Sequence, residues 1–499
     1  MSGSASADVS DRICQGLDGG HPLIHVRGHD EARLEALLRR ICQARHQGRR
    51  SLAVWTLTGG LVEEGASADP ALADPLAALR HVLERREGGF FLFKDLPLLL
   101  ETRFELVRAL RDLYQALVGS ESVVFLSCSD HRLPDALARE VFLVDQGAPD
   151  EAEILAEVQR LGAGARIDEQ SAAVFAAAMK GLMLNEVGHL VRRLVKQGLL
   201  ERDAALAEIH REKATALMGE ACLRYIPDTV DLDRVGGLEN LKDWVRARAG
   251  LFTASQGGRV PMPAGVLFMG VSGCGKSMAA KVIASAWALP LVRLDMNLVL
   301  SGAHGSPEYA FDHALRTAER IAPLVLWIDE MENSFGYDSD VRHGGNNPNI
   351  FSSFLTWMQE KPAGVFVVAT ANRIEKLPAE VMRKGRFDQL FFLDLPTDSE
   401  RQRILDIHLN ANGADPAKFN LAALSAATKN WSGAEIEQGV KAAVVDAWQA
   451  GRDFGERDVM LALSRMVPLS RTMSEQIKAL RVWSQERATP ASARETQPG

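Results

Sequence analysis

GVLFMGVSGCGKSMAAKVIASAWAL, residues 265–289, runs from an apolar β-prone segment through a glycine-rich turn into a helical pattern. Its centre, Gly270–Ser277, fits G-x-x-x-x-G-K-[ST] without a mismatch, with the strand before and the helix after that the motif demands. Glycines there let backbone N–H groups turn toward phosphate oxygens, and the start of the helix adds partial positive charge. Gly270, Val271, Ser272, Gly273, Cys274, Gly275, Lys276, Ser277 and Met278 are therefore the candidate phosphate cradle. Lys276 is positioned to reach the β- and γ-phosphates, and Ser277 to ligate Mg2+. The competing reading is a fortuitous glycine-rich turn, which the flanking strand and helix disfavour.

Downstream, LVLWIDE (324–330) is an apolar run that ends in two carboxylates. A strand buried on both faces presents the residues at its carboxyl end beside such a loop. Asp329 then suits an outer contact to Mg2+, and Glu330 suits polarising an attacking water. An apolar strand ending in Asp-Glu means little alone; with the glycine loop upstream it means a good deal.

Working outward, strand and helix alternate twice. The first series runs LIHV, SLAVWTLTG, FFLFKD, SVVFLSCSD and VFLVD, with helical spacing between, and a wholly helical stretch follows it. The second runs GVLFMG, LVRLDM, LVLWIDE, VFVVATAN and LFFLDLP, again followed by helices. Such alternation implies parallel sheets with helices on both faces. The segments 123–145 and 365–396 both place Leu-Pro after a strand and an apolar strand beyond it, which favours duplication of one unit over two unrelated α/β domains.

Composition restricts the function classes. Among 499 residues, 46% are apolar and 24% charged, as in a globular protein of several domains. A net charge of −8 disfavours a general nucleic-acid binder. Five scattered cysteines without a CxxC pair argue against a disulfide framework or zinc site and for a reducing compartment. No run of ~18 apolar residues suggests a membrane span, and the opening MSGSASADVSDR lacks the apolar stretch of a secretory signal. A cytoplasmic location is the expectation.

With both phosphate motifs in hand, the segment 220–460 resembles the AAA+ ATPases, specifically the AAA group. VDLDRVGGLENLKD (230–243) is similar to that group's lead-in, which implies Val235 and Gly236 beside adenine. ATANR (369–373) resembles its sensor strand, implying that Asn372 orients the lytic water. VMRKGRFDQLFF (381–392) resembles its arginine-finger segment, implying that Arg383 and Arg386 reach a neighbouring subunit's nucleotide. RILDIHL (403–409) and WSGAEI (431–436) are similar to its lid motifs, implying His408, Gly433 and Ala434 near base and ribose. His408 is equally readable as a satisfied core histidine. The branch most resembled is the chloroplast and cyanobacterial open-reading-frame AAA ATPases and their bacterial relatives. The resemblance implies ATP and Mg2+ as ligands, a homo-oligomeric ring, a hexamer by family habit, and a protein client of unknown identity.

The expected organisation is a disordered tail over 1–20, a degenerate AAA-like α/β domain over 21–148, and a helical cap and linker over 149–222. An AAA+ core over 223–397, a helical lid over 398–468, and a helix end with disordered tail over 469–499 complete it. The first copy fails the test the second passes. LIHVRGHDEARLEAL (23–37) has one glycine and no GK[ST], and Asp30 and Glu31 at its helix start would repel a triphosphate. GGFFLFKDLP (88–97) carries Lys94–Asp95 where the acid pair belongs. In the second copy, SGAHGSPEYA (301–310) has Ala303 and His304 where peptide-threading relatives carry an aromatic, with Tyr309 five residues on. GYDSDVRHGGNNPNIF (336–351) is expected to be a mobile loop. The reading is an ATP-hydrolysing machine that remodels or regulates a protein partner. The alternatives are a nucleotide-gated switch with weak hydrolysis and a peptide-threading chaperone; a nucleic-acid loader stands further off.

Overall fold

The computed structural model describes residues 5–47, 50–63, 69–85, 88–129, 133–165, 167–217, 221–227, 230, 232, 235–249, 251–252, 261–332, 348–373, 376–383 and 385–493. The chain forms two compact units, Met1–Arg202 and Asp203–Gly499. The expected mobile loop falls largely outside the described residues, and Pro348–Glu360 is a helix.

In the first unit the strands are β1 (Leu23–Arg27), β2 (Leu52–Thr56), β3 (Gly60–Glu63), β4 (Phe90–Lys94), β5 (Val123–Cys128) and β6 (Phe142–Asp145). They form a six-stranded sheet in the order β3-β2-β4-β5-β1-β6. All neighbours are parallel except the β2–β3 hairpin. Successive side chains of β4 point to opposite faces, as strand geometry requires. Phe91 and Phe93 join Trp55 and Leu79 in one core layer, while Phe90 and Leu92 join Ile24, Val26 and Leu38 in the other. The helices Glu151–Gly162, Glu169–Met179 and Leu184–Gln197 follow the sheet as a cap.

In the second unit the strands are β7 (Leu223–Ile226), β8 (Gly265–Gly270), β9 (Leu291–Leu294), β10 (Leu324–Ile328), β11 (Val365–Ala371), β12 (Gln389–Leu393) and β13 (Thr489–Pro490). Their order is β13-β12-β8-β11-β10-β9-β7, parallel except where β7 meets β9. Within each unit the shared strands follow one order: β2-β4-β5-β1-β6 in the first and β9-β10-β11-β8-β12 in the second. Each sheet also ends in an antiparallel edge strand beside the first of these, β3 against β2 and β7 against β9. The fold class is therefore the expected one, an α/β core with a helical lid preceded by a related α/β unit with its own cap. The lid comprises Asp398–Ala411, Leu421–Ala427, Gly433–Gln449 and Glu456–Ser464, which share a core of Leu405, Leu409, Leu424, Ile436, Val440 and Val459.

Three expectations need correction. SLAVWTLTG is not one strand: Thr56 Oγ1 accepts the Gly59 N–H at 2.9 Å, the chain turns, and β3 returns antiparallel. The opening residues are not a tail, because Ala5–Asp18 is a helix. Val9, Ile13 and Leu17, spaced four apart, are buried against Ile24 and Phe142, a stripe too thin to stand out in a small, polar composition. The closing residues are not a tail up to Ala493 either. After the helix Ser474–Ser484, Thr489 and Pro490 pair with Phe391 and Phe392 of β12. Ala491 is fully buried, its carbonyl accepting the Leu241 N–H at 3.2 Å, and Asn240 Nδ2 donates to the carbonyls of Pro490 and Ser492.

The helix Arg202–Ala216, expected as part of the first unit's cap and linker, lies almost wholly in the second. There His210 Nε2 is 3.1 Å from the Ala288 carbonyl. Among the described residues, no helix is long and apolar enough to cross a membrane. Ile13→Ala should destabilise the first unit by about 2–4 kcal/mol. The full chain would then show an earlier urea transition, whereas an unshifted one would return Ala5–Asp18 to the status of a tail.

Candidate functional site

At the carboxyl edge of the second sheet the glycine-rich loop leaves β8 under tight constraint. Gly270 has φ 149°, and a Cβ there would sit 2.0 Å from the Leu393 carbonyl oxygen, which also accepts the Val271 N–H at 3.1 Å. Gly273 (φ 78°) and Gly275 (φ 94°) turn in the left-handed region that glycine alone enters freely, and the helix opens at Lys276. The Lys276 ammonium is buried and donates to the carbonyls of Gly270 (3.0 Å) and Val271 (2.8 Å). Burial pushes its pKa below the ordinary lysine value, against the pull of Glu332, Asp329 and Glu330. Burial also pushes the Cys274 thiol up to about 12, so it packs as a neutral group. Ser272, Ser277 and Met278 are exposed.

Asp329 and Glu330 follow β10 on the same edge. Glu330 has a left-handed backbone (φ 48°), a strained conformation for a residue with a side chain. Its N–H donates to Thr370 Oγ1 at 2.9 Å, and that hydroxyl donates to Asp329 Oδ1 at 2.6 Å. Asn372, just past β11, donates from Nδ2 to Glu330 Oε1 at 3.2 Å. The buried Glu332 accepts the N–H groups of Asn372 (2.7 Å) and Arg373 (3.3 Å) on Oε1, and burial raises its pKa.

The lid closes on the loop from the other side. Gly273 offers its carbonyl to the Ala434 N–H at 3.1 Å, and a Cβ on Gly273 would lie 2.9 Å from Ser432 Oγ. Gly433 and Gly236 both face Ile404: a Cβ on either would meet it, at 3.7 Å and 2.8 Å. Val235, next in the lead-in, gives its carbonyl to Lys242 Nζ. The lead-in, the loop and the lid helices Asp398–Ala411 and Gly433–Gln449 thus meet around Ile404. Glu400 adds a tether. One carboxylate oxygen accepts the Thr397 N–H and the other the Leu238 N–H. A Cβ on Gly237 would collide with that carboxylate at 2.0 Å.

Not every predicted residue joins the cluster. His408 lies one turn beyond Ile404 and is half-buried; burial lowers its pKa, and its electrostatic neighbours are Glu437 and Lys441. Arg383 is exposed and lies 3.8 Å from the Glu380 carboxylate, while Arg386 donates to the Glu380 carbonyl. Among the described residues neither arginine contacts the loop. Sequence reasoning missed Thr370, Glu332, Glu400 and Ile404. Glu332 carried a signal, a third acid two residues beyond Glu330, and Thr370 stood beside the chosen Asn372.

The corresponding edge of the first unit is built with reversed polarity. Only Gly28–Asp30 separates β1 from the helix Glu31–Arg45, against Val271–Gly275 in the second unit. A Cβ on Gly28 would strike Gln146 at 2.0 Å. Lys94, at the end of β4, pairs with Glu31 (3.1 Å) and Glu35 (2.9 Å) of that helix. Burial works against the Lys94 charge, but hydrogen bonds to Glu35 and Glu31 hold its pKa above the ordinary lysine value. Asp30 accepts the N–H groups of Arg33 (3.2 Å) and Leu184 (3.0 Å), and Arg33 makes a paired contact with Glu153 (3.0 and 2.8 Å). Asp95 nevertheless keeps the left-handed kink of Glu330, at φ 57°.

Both units match families of known proteins. Residues 9–146 match the family described as SpoVK-like AAA ATPase, N-terminal domain, and residues 266–395 match the ATPase family associated with various cellular activities (AAA). The chain is 32% identical to the AAA domain-containing protein ycf46 of Pyropia yezoensis, over 94% of this chain and 96% of that one. It is 31% identical to the ycf46 protein of Trieres chinensis, over 95% and 96%. Similarity to the ATP-dependent zinc metalloprotease FtsH 2 of Bdellovibrio bacteriovorus, at 28%, covers 44% of this chain and 37% of the relative.

The lid tether predicts a coupling. Gly237→Ala should destabilise the second unit by about 1–3 kcal/mol through strain at φ 80° and the clash with Glu400. In a Glu400→Ala background the clash part should vanish, and a double-mutant cycle in urea reads the difference. Strictly additive effects would mean that the two residues do not touch.

Proposed function

This chain belongs to the ycf46 family of AAA domain-containing proteins, and from that premise we propose that its second unit binds and hydrolyses Mg2+-ATP to move a protein partner. Family membership supports an ATPase of the AAA+ type. The observation that carries the finer reading is the strained Glu330, cross-bonded to Asn372 on the sheet edge that also holds the buried Lys276.

In this reading the backbone N–H groups of the loop and Lys276 hold the β- and γ-phosphates. Gly236 and Val235, with Gly433 and Ala434 of the lid, border base and ribose, and His408 flanks that end. The donor set fits Mg2+, since the Ser277 hydroxyl and the Asp329 carboxylate are hard oxygen ligands. Among the described residues no cluster of three or more His, Cys, Asp or Glu side chains could hold a metal unaided. Bound Mg2+ neutralises charge on the phosphates. Glu330 takes the proton of the attacking water, and Asn372 holds Glu330 and that water in line.

Arg383, exposed and away from its own loop, suits completion of a second copy's site, with Arg386 holding the turn through Glu380. The working form is then a ring of identical chains. The first unit, with acids at its helix start and Lys94 in place of the metal-binding acid, serves as a nucleotide-free platform for regulation or partner recognition. Free cysteines throughout support a reducing, cytoplasmic setting. Peptide threading draws support from one observation: Tyr309, 62% exposed and stacked at 5.8 Å on His313, lies against Gly305, the residue after Ala303 and His304.

Lys276→Ala should abolish ATP binding. Glu330→Gln should keep binding and lower turnover about 10²- to 10⁴-fold; wild-type turnover in that variant would refute Glu330 as the base. A second test concerns assembly. Turnover per chain should rise with protein concentration, and Arg383→Ala should remove the rise without weakening ATP binding, whereas concentration-independent turnover would argue for a self-contained site.

A further inference from the structure

The ends of β10 and β11 are fastened by side chains where their backbone ladder stops. Parallel pairing ends at Ile328 with Ala369, and the next pair brings Asp329 opposite Thr370. There the backbone turns left-handed at Glu330 and gives its N–H to Thr370 Oγ1. The direction of the second bond is fixed chemically. An ionised carboxylate only accepts and a backbone N–H only donates, so the Thr370 proton must point at Asp329 while its lone pair receives Glu330. Thr370 is 1% exposed, so water does not substitute for it.

Two residues past Glu330 the fastening is made from the other strand's side. Glu332, 2% exposed, accepts both the Asn372 and the Arg373 N–H on one oxygen. This holds the end of β11 where Asn372 Nδ2 meets Glu330 Oε1. Asp329, Thr370, Glu330, Asn372 and Glu332 thus form one continuous chain of hydrogen bonds across two neighbouring strand ends. The first unit offers a contrast. Asp95 has the same kink, yet its N–H goes to the Ser127 backbone carbonyl at 2.8 Å, and no hydroxyl is needed there.

We infer that Thr370 and Glu332 are positioning residues for hydrolysis, holding the Glu330 carboxylate and the Asn372 amide in the orientation that turnover requires. The inference rests on the reading of Glu330 as the base. A strained backbone N–H and a half-buried carboxylate are satisfied by one hydroxyl, so removing that hydroxyl frees Glu330 to relax. The phosphate loop is not part of this chain of bonds, so nucleotide affinity should be spared.

The test uses the full chain at saturating Mg2+, with ATP turnover, the affinity for a non-hydrolysable ATP analogue, and the thermal midpoint measured together. Thr370→Val keeps the shape and removes the hydroxyl; kcat should fall about 10- to 100-fold with analogue affinity held within about threefold. Thr370→Ser should restore kcat. Glu332→Gln, which keeps an acceptor for the two N–H groups, should retain more turnover than Glu332→Met. Full turnover in Thr370→Val, failure of serine to rescue, or parallel loss of affinity and turnover would each overturn the inference. Glu330→Gln in the same series separates the layers. If it turns over normally, the base assignment fails; if it is dead while Thr370→Val is fully active, only the positioning role fails.

Discussion

A cation and several carboxylates share the carboxyl edge of each sheet, and most of what distinguishes the two units follows from which element carries which sign. In the second unit the cation, Lys276, opens the helix and the acids end the strand. In the first, Glu31 opens the helix and Lys94 ends the strand. Sheet topology imposes the proximity, because one strand alone separates β8 from β10, and β1 from β4. Among the described residues the buried Lys276 donates to two loop carbonyls, and it lies in the field of three acids. The first edge is electrically closed on itself through Lys94, Glu31 and Glu35.

The same contrast extends to the helical caps. In the second unit a Gly273 carbonyl and a bare glycine surface receive the lid, contacts that carry no charge. In the first, the Asp30 carboxylate takes the Leu184 N–H, and Arg33 is forked onto Glu153. Two lid glutamates have a double role. Glu400 and Glu435 each cap their own helix with one oxygen and hold an outside segment with the other, at Leu238 and Leu469. Lid, lead-in and C-terminal return are thereby linked through two carboxylates, a suitable arrangement for passing motion from cleft to surface.

Much of this was legible in the sequence because parallel strands buried on both faces read as unbroken apolar runs, as in LVLWI and FFLF. The loop at Gly270–Ser277 was legible because its chemistry is local. What escaped depended on register between distant segments. Thr370 gains its role only when β11 is laid beside β10, and Glu400 looks like an ordinary helix cap until Leu238 is folded against it. The helix Ala5–Asp18 hid behind small polar residues, and β13, two residues long, carries no periodicity at all. Arg383 and Arg386 were found by resemblance, and among the described residues both meet Glu380.

The proposed division of labour between two copies of one architecture is tested most directly by nucleotide stoichiometry. Equilibrium titration of the full-length protein with a non-hydrolysable ATP analogue and Mg2+ should saturate at one nucleotide per chain. Saturation at two per chain would contradict it, because the first edge would then accept a triphosphate despite Asp30, Glu31 and Lys94.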